Sequence, residues 1–273
     1  MTDPTVLDPS AISYPFPYAV TVDEEIVHVK QLANGNERIT LVSHRPIWIS
    51  SVSVDADTQE QSLTLCWDTG LGHEDSAVLP RRDALSTTGL LALTARGFPT
   101  DPQKARPLVA MLSAYEQHHQ QRLPRGIYAS RLGWHGDAFA VGTTLVGDVD
   151  LEVRTDPGLA DVVAGHRSFG EPDCWRALAL RAKDHPPLLV GIYAAVASAV
   201  LGRLPDVEGF TVEWAGTTSS GKTTAMKLAA SAWGHPGKII GSWDSTRVGI
   251  EARLATLGNL PIFLDDTAAA SDP

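Results

Sequence analysis

Apolar and polar residues alternate through most of the first 80 positions. Residues 18–22, 25–30, 38–42, 47–54, 62–67 and 77–79 read as short strands, and Asn34-Gly35-Asn36 stands between two of them as a turn signal. An antiparallel sheet is expected here. Ahead of it, residues 1–17 carry Pro4, Pro9, Pro15 and Pro17 and read as an irregular leader. The period then lengthens to that of a helix over residues 83–96 and 102–121, with Gly97 and Pro99 separating the two. Alternation returns at residues 126–130, 132–136, 139–141 and 144–146, where Gly133 and Gly136 bracket Trp134 and His135 in a tight turn.

The second half has a different rhythm. Residues 148–170, rich in Asp and Gly, read as a linker, and residues 171–183 and 187–204 as two helices. The run 188–202 is apolar throughout but shorter than the roughly 20 residues a membrane span needs, so a buried core helix is expected. A strand at residues 210–215 leads through a small-residue loop into a helix that opens near Gly221. Residues 238–243 read as a strand, 245–257 as a helix capped by Ser245, and 260–266 as an apolar strand ending in Asp265 and Asp266. Strand, helix, strand, helix, strand is the order of a parallel sheet. Glu213 fits that pattern poorly, because a central parallel strand is usually apolar on both faces.

The domains expected are therefore an α+β unit at 18–147, a linker with helices at 148–204, and an α/β core at 205–273. The fold class expected is an α+β N-terminal region followed by an α/β core, which the loop spacing at Gly216 to Thr223 and the family resemblance imply to be a phosphate-loop NTPase core of the RecA/AAA-like kind, truncated after its acid-bearing strand. Composition allows this, since 43% of the 273 residues are hydrophobic and 20% charged. A net charge of −10 argues against the whole chain as an electrostatic footprint for nucleic acid. The acidic surplus lies in residues 1–169, which carry 21 acids against 13 bases. Cys66 and Cys174 lack metal-ligand spacing and are expected as buried small hydrophobes in a reducing, cytoplasmic setting. The N-terminus has no signal-peptide pattern.

Candidate chemistry concentrates in one stretch. Gly216-Thr217-Thr218-Ser219-Ser220-Gly221-Lys222-Thr223 satisfies the spacing G-x-x-x-x-G-K-[ST], with Thr224 continuing into the helix. A polyphosphate needs backbone N–H groups close to its oxygens, which only a loop with little side-chain bulk can supply. Lys222 would place a cation on the terminal phosphates and Thr223 a hydroxyl on Mg²⁺, with the helix N-terminus facing the anion. Asp265 would support the metal and Asp266 would activate water. Trp134 and His135 could form a stacking platform for a base; the alternative is a core Trp beside a turn His. His118-His119 and Asp23-Glu24-Glu25 read as a helix surface and a solvated turn.

The chain resembles the family catalogued as domain of unknown function 927. The resemblance rests on the runs Arg131 to His135, Gly216 to Thr224 followed by Ala229 to Gly234, Trp243 to Thr246, and Leu264 to Asp266. It covers most of the chain from about residue 18. The family is described as helicase-like NTPases of phages, plasmids and integrated elements, so the resemblance implies nucleotide-driven work on DNA within a larger assembly, with ATP and Mg²⁺ as cofactors. Where the family usually has Asp-Glu, this chain has Asp265-Asp266, a carboxylate one methylene shorter. In such NTPases a later strand separates the loop strand from the acid strand, and a chain ending at Pro273 lacks it. The expectation is a chain that holds nucleotide and hydrolyses it slowly, and that pairs with a partner or another copy of itself.

Three functions compete at this stage. The leading one is an ATP-binding, Mg²⁺-dependent, helicase-like NTPase domain of a mobile-element or phage DNA replication protein. The second is a nucleotide-binding regulatory or assembly module without appreciable turnover. The third, a phosphotransferase, would need an acceptor pocket that the sequence does not reveal.

Overall fold

A computed structural model describes residues 13–217 and 220–265 of the chain. They divide into two units, the first ending at Ile127 and the second beginning at Tyr128. Residues 1–12 of the expected leader, Thr218 and Ser219 of the loop, and Asp266 lie outside the described residues.

In the first unit the alternation becomes two antiparallel sheets where one was expected. Strands β1 (Tyr18–Val20), β2 (Ile26–Gln31) and β3 (Glu37–Ser43) form the first. Strands β4 (Ile47–Asp55), β5 (Gln61–Asp68) and β6 (Glu74–Pro80) are neighbours in the second. The break lies at residues 44–46: Pro46 has no N–H to extend a ladder, and the Ser43 hydroxyl donates to the Arg45 carbonyl at 2.8 Å, turning the chain.

The helix expected at 83–96 is interrupted. Helices α1 (Arg81–Ala84) and α2 (Thr87–Ala92) are separated by Ser86, whose side chain accepts the Gly89 N–H at 2.9 Å and so starts a new helix. A short 3-10 turn, Leu93–Arg96, then ends on left-handed Gly97. Helix α3 (Ala105–His119) lays Leu108, Met111, Leu112 and Tyr115 along one face. These pack with Trp48, Trp67, Leu63 and Leu65 of the second sheet into a fully buried core. His119 is buried and its Nε2 lies 2.7 Å from the Ser13 carbonyl, so the histidine pair is structural on that side.

Strand β7 (Arg125–Ala129) closes the first unit and opens the second. Strands β8 (Gly133–His135), β9 (Ala138–Val141) and β10 (Thr144–Val146) form an antiparallel meander. The stretch expected to be a linker contains β11 (Glu152–Val153), parallel to the end of β7, and helix α4 (Ala160–Gly165). Val163 of α4 is buried with Leu132, Phe139, Ala140, Leu257 and Leu260, which makes this stretch part of a core. Helices α5 (Pro172–Arg181), α6 (Pro186–Leu201) and α7 (Lys222–Ala230) follow, then α8 (Pro236–Ile239), β12 (Ile240–Ser242), α9 (Arg247–Leu257) and β13 (Phe263–Asp265). Thr246, one residue beyond the expected Ser245, caps α9 by accepting the Gly249 N–H at 3.1 Å.

Two further expectations change. Helix α6 buries Gly191, Ile192 and Ala195, whereas Val190, Tyr193, Val196 and Val200 are exposed, so it is only half a core helix. Cys66 is buried as expected, but Cys174 is exposed on α5.

Asn259, just before the acid-bearing strand, joins three parts of the second unit. Its side-chain oxygen accepts the Trp134 N–H at 3.0 Å and an Arg131 N–H at 3.3 Å, and Gly202, just past α6, is so close that a Cβ there would meet the Asn259 amide. Asn259→Ala would leave a partly buried N–H without its acceptor. The expected outcome is a loss of about 1–3 kcal/mol in urea unfolding, and a loss below about 0.5 kcal/mol would contradict this role.

His166 is 1% exposed; its Nδ1–H donates to the Val162 carbonyl at 2.8 Å, and its Nε2 has no partner among the described residues. Burial, assisted by the nearby Arg253 charge, holds its pKa below the ordinary 6.5. Below that pH the unfolded chain binds a proton that the folded chain resists, so stability should fall as pH drops from about 6.5. His166→Asn should flatten that part of the stability profile, measured by denaturant titration at several pH values. An unchanged slope would show that other groups set it.

Candidate functional site

The loop enters helix α7 through Gly221, whose φ of 87° is a left-handed conformation that side chains other than glycine disfavour. That residue cannot cap the helix with a side chain, so N–H groups of the first turn are left for another acceptor. Lys222, the only cation between Gly216 and Thr224, curls back over the loop. Its Nζ donates to the Gly216 and Thr217 carbonyls, both at 2.9 Å. Thr223 is half-buried, and Thr224 and Ser220 are exposed. A positive group, N–H donors with no capping side chain among the described residues, and hydroxyls thus meet at one end of one helix.

Upstream, the expected strand at 210–215 is not formed. These residues have no ladder partner among the described residues, yet their alternation is still expressed. Val212 and Trp214 are half-buried, whereas Phe210, Thr211 and Glu213 are exposed. Glu213 is thereby accounted for, as the outward side of an extended arm. Trp214 pins that arm, its Nε1–H donating to the Pro187 carbonyl at 3.3 Å. Its ring lies where a Cβ on Gly191 of α6 would come within 2.5 Å, so only glycine leaves room for it.

The acid-bearing strand packs beside α7. Strands β12 and β13 are parallel, Ile240 opposite Phe263 and Ser242 opposite Asp265. Phe263, Ala229, Ala230, Ala195 and Ile239 share one buried cluster, which seats the acid strand on α6 and α7. The Asp265 carbonyl accepts the Trp243 N–H at 3.1 Å, carrying the pairing one residue further, and the Asp265 side chain is half-buried. Arg253 of α9 reaches under β12, where its guanidinium donates to the Ile239 carbonyl and lies against Gly241. Burial lowers its pKa from the usual value, and its bond to the Ile239 carbonyl makes it a structural brace. Sequence reading missed both Arg253 and Asn259; an Asn at a turn before an acid strand was the available signal for the second.

Thr223 and Asp265, the residues expected to hold Mg²⁺, carry oxygens of the kind that cation takes, and among the described residues no group of three or more His, Cys, Asp or Glu is placed to hold a metal ion. Trp134 is not presented as a platform. Its ring packs edge-on against Phe139 at 4.8 Å, its Nε1–H donates to the Ala199 carbonyl at 2.8 Å, and the Arg203 guanidinium lies 3.9 Å above it. His135 is buried. The core reading of this pair is the one realised, with a correction to its place: both residues lie on strand β8, and the turn expected around them follows at residues 136–137. Among the described residues no helix is long and apolar enough to cross a membrane.

A comparison with curated proteins finds no match. Among solved structures the chain is similar to one described as "SCCmec type IV Cch - active helicase", with 19% sequence identity and a TM-score of 0.51. The match covers 92% of this chain and 48% of that one, so this chain spans about half the length of its structural relative. At this identity the likeness is one of fold, a mixed α/β architecture. The family model described as "Domain of unknown function (DUF927)" matches residues 21–272, a span that takes in the loop, the Trp134 segment and the acid strand. The chain therefore belongs to the DUF927 family.

Proposed function

We propose that the second unit binds a nucleoside triphosphate with Mg²⁺ at the Gly216–Thr224 loop and is the NTP-hydrolysing part of a helicase-related protein acting on DNA in a larger assembly. The observation that carries this reading is the junction at Gly221: a left-handed glycine, an uncapped helix start and a lysine ammonium folded into the same loop. Such a junction offers what a polyphosphate lacks in water, namely backbone N–H donors held beside a positive charge. Lys222 would exchange its two carbonyl acceptors for phosphate oxygens. Thr223 and Asp265 would hold Mg²⁺, which supplies charge neutralisation on the β- and γ-phosphates when bound. Asp266 would orient and deprotonate water. The helicase description of the structural relative supports the wider role.

A second reading, nucleotide binding with little or no turnover, is favoured by the extended arm at 210–215. A loop braced by Trp214 rather than by a strand ladder is held less rigidly, and phosphoryl transfer depends on exact positioning. A further copy of the chain, or another protein, would then complete the catalytic arrangement.

Replacing Lys222 by Ala should lower triphosphate affinity at least tenfold, about 1.4 kcal/mol. Unchanged affinity by calorimetry would overturn the loop assignment.

Single-turnover ATP hydrolysis with Mg²⁺, with and without single-stranded DNA, separates the two readings. Turnover that Asp265→Asn abolishes supports the hydrolase. Intact binding without turnover supports the assembly module.

A further inference from the structure

A groove of about 410 Å³ runs along helix α7, immediately beyond the loop. Its floor is a single face of that helix, Thr224, Lys227, Leu228 and Ser231, residues spaced at i, i+3, i+4 and i+7. The opposite wall comes from the end of α5 and the start of α6 and includes Leu178, Arg181, His185 and Leu188. Resting on the nucleotide reading above, we infer that this groove takes the purine nucleoside of the bound nucleotide and that Arg181 and His185 are its specificity-determining side chains.

Three features lead to this assignment. The first is continuity. Thr224 lines the groove and directly follows Thr223 of the loop, and from Thr224 to Ser231 the helix rises about 10 Å at 1.5 Å per residue, the span of a nucleoside extending from a phosphate. The second is lining chemistry: leucine walls with a few polar groups at the edge, within the ordinary size range of small-ligand sites. No acid is among the lining residues. The exposed Arg181 guanidinium is suited to lie over the face of a base, and the exposed His185 ring to hydrogen-bond its edge.

The third feature is a braced far end. Trp175 donates from Nε1 to the Ser231 hydroxyl at 2.9 Å, and that hydroxyl donates to the Leu228 carbonyl at 2.6 Å. Ser231 is thus committed to joining α5 to α7 and fixes the position of the lining at that end. A ligand entering from the loop has a built length to fill.

The test uses the whole chain and calorimetric affinities for ATP, GTP and inorganic tripolyphosphate. In the unaltered protein at least one purine nucleotide should bind tenfold or more tighter than tripolyphosphate. Arg181→Ala with His185→Ala, both at exposed positions, should remove most of that difference while leaving tripolyphosphate affinity within twofold. Lys222→Ala should weaken all three. If tripolyphosphate binds as tightly as both nucleotides, or if the groove variants leave the preference intact, the groove assignment is wrong and the loop reading stands. A fall of tripolyphosphate affinity equal to that of the nucleotides in the groove variants would also overturn it, since the effect would then come through the loop. Binding of none of the three would overturn the loop reading, and the groove assignment with it.

Discussion

Close approach between helices α6 and α7 is the constraint on which the candidate site depends. The two can meet because the contact surface is built from small side chains, Gly191 and Ala195 on one helix and Ala225, Ala229 and Ala230 on the other, all buried. A helix that turns its small residues inward leaves its bulky ones outside, which is why Val190, Tyr193, Val196 and Val200 are exposed on an otherwise apolar helix. The same contact sets both arms of the loop. Gly191 leaves space for Trp214 on the incoming arm, and Ala229 and Ala230 share their cluster with Phe263 at the start of the acid strand.

Around that pair, charged and polar side chains work as braces. Arg253 ties α9 to the start of β12, and Asn259 ties the approach to β13 to the Trp134 segment. Each is a side chain satisfying backbone groups that have no regular ladder to join, as the accounting of buried polar groups requires. The second unit has short strands among its described residues, with β12 and β13 only three residues each. Side-chain bonds of this type take over part of the positioning that a wide sheet would give. This arrangement also explains how segments far apart in the sequence, near 131, 202 and 259, converge on one amide.

The groove beside α7 and the loop at its start share one helix but use different faces of it. Lys222 points back into the loop, whereas Thr224, Lys227, Leu228 and Ser231 face α5 and α6. One helix can therefore present donors at its end and an apolar floor along its side, a division of labour suited to a ligand with a charged head and a flat body.

The element plan was legible from local pattern: most strands of the first unit, α3, α5, α6 and the loop-to-helix junction at Gly221 lie within a few residues of where alternation, helical period and glycine placement put them. Those features depend on backbone preferences and on which side chains can share a face, and both are written in short windows of sequence. Tertiary structure alone decided the rest. Alternation at 210–215 signals one buried face and cannot say whether the neighbour is a strand or a helix; here it is α6, and no ladder partner lies among the described residues. Uniform apolarity in α6 cannot say which face is covered, because that depends on the partner's small residues. The asparagine at 259 and the arginine at 253 are ordinary surface letters until folding brings distant carbonyls and N–H groups to them, because a hydrogen bond is specified by position in space and not by neighbours in the chain.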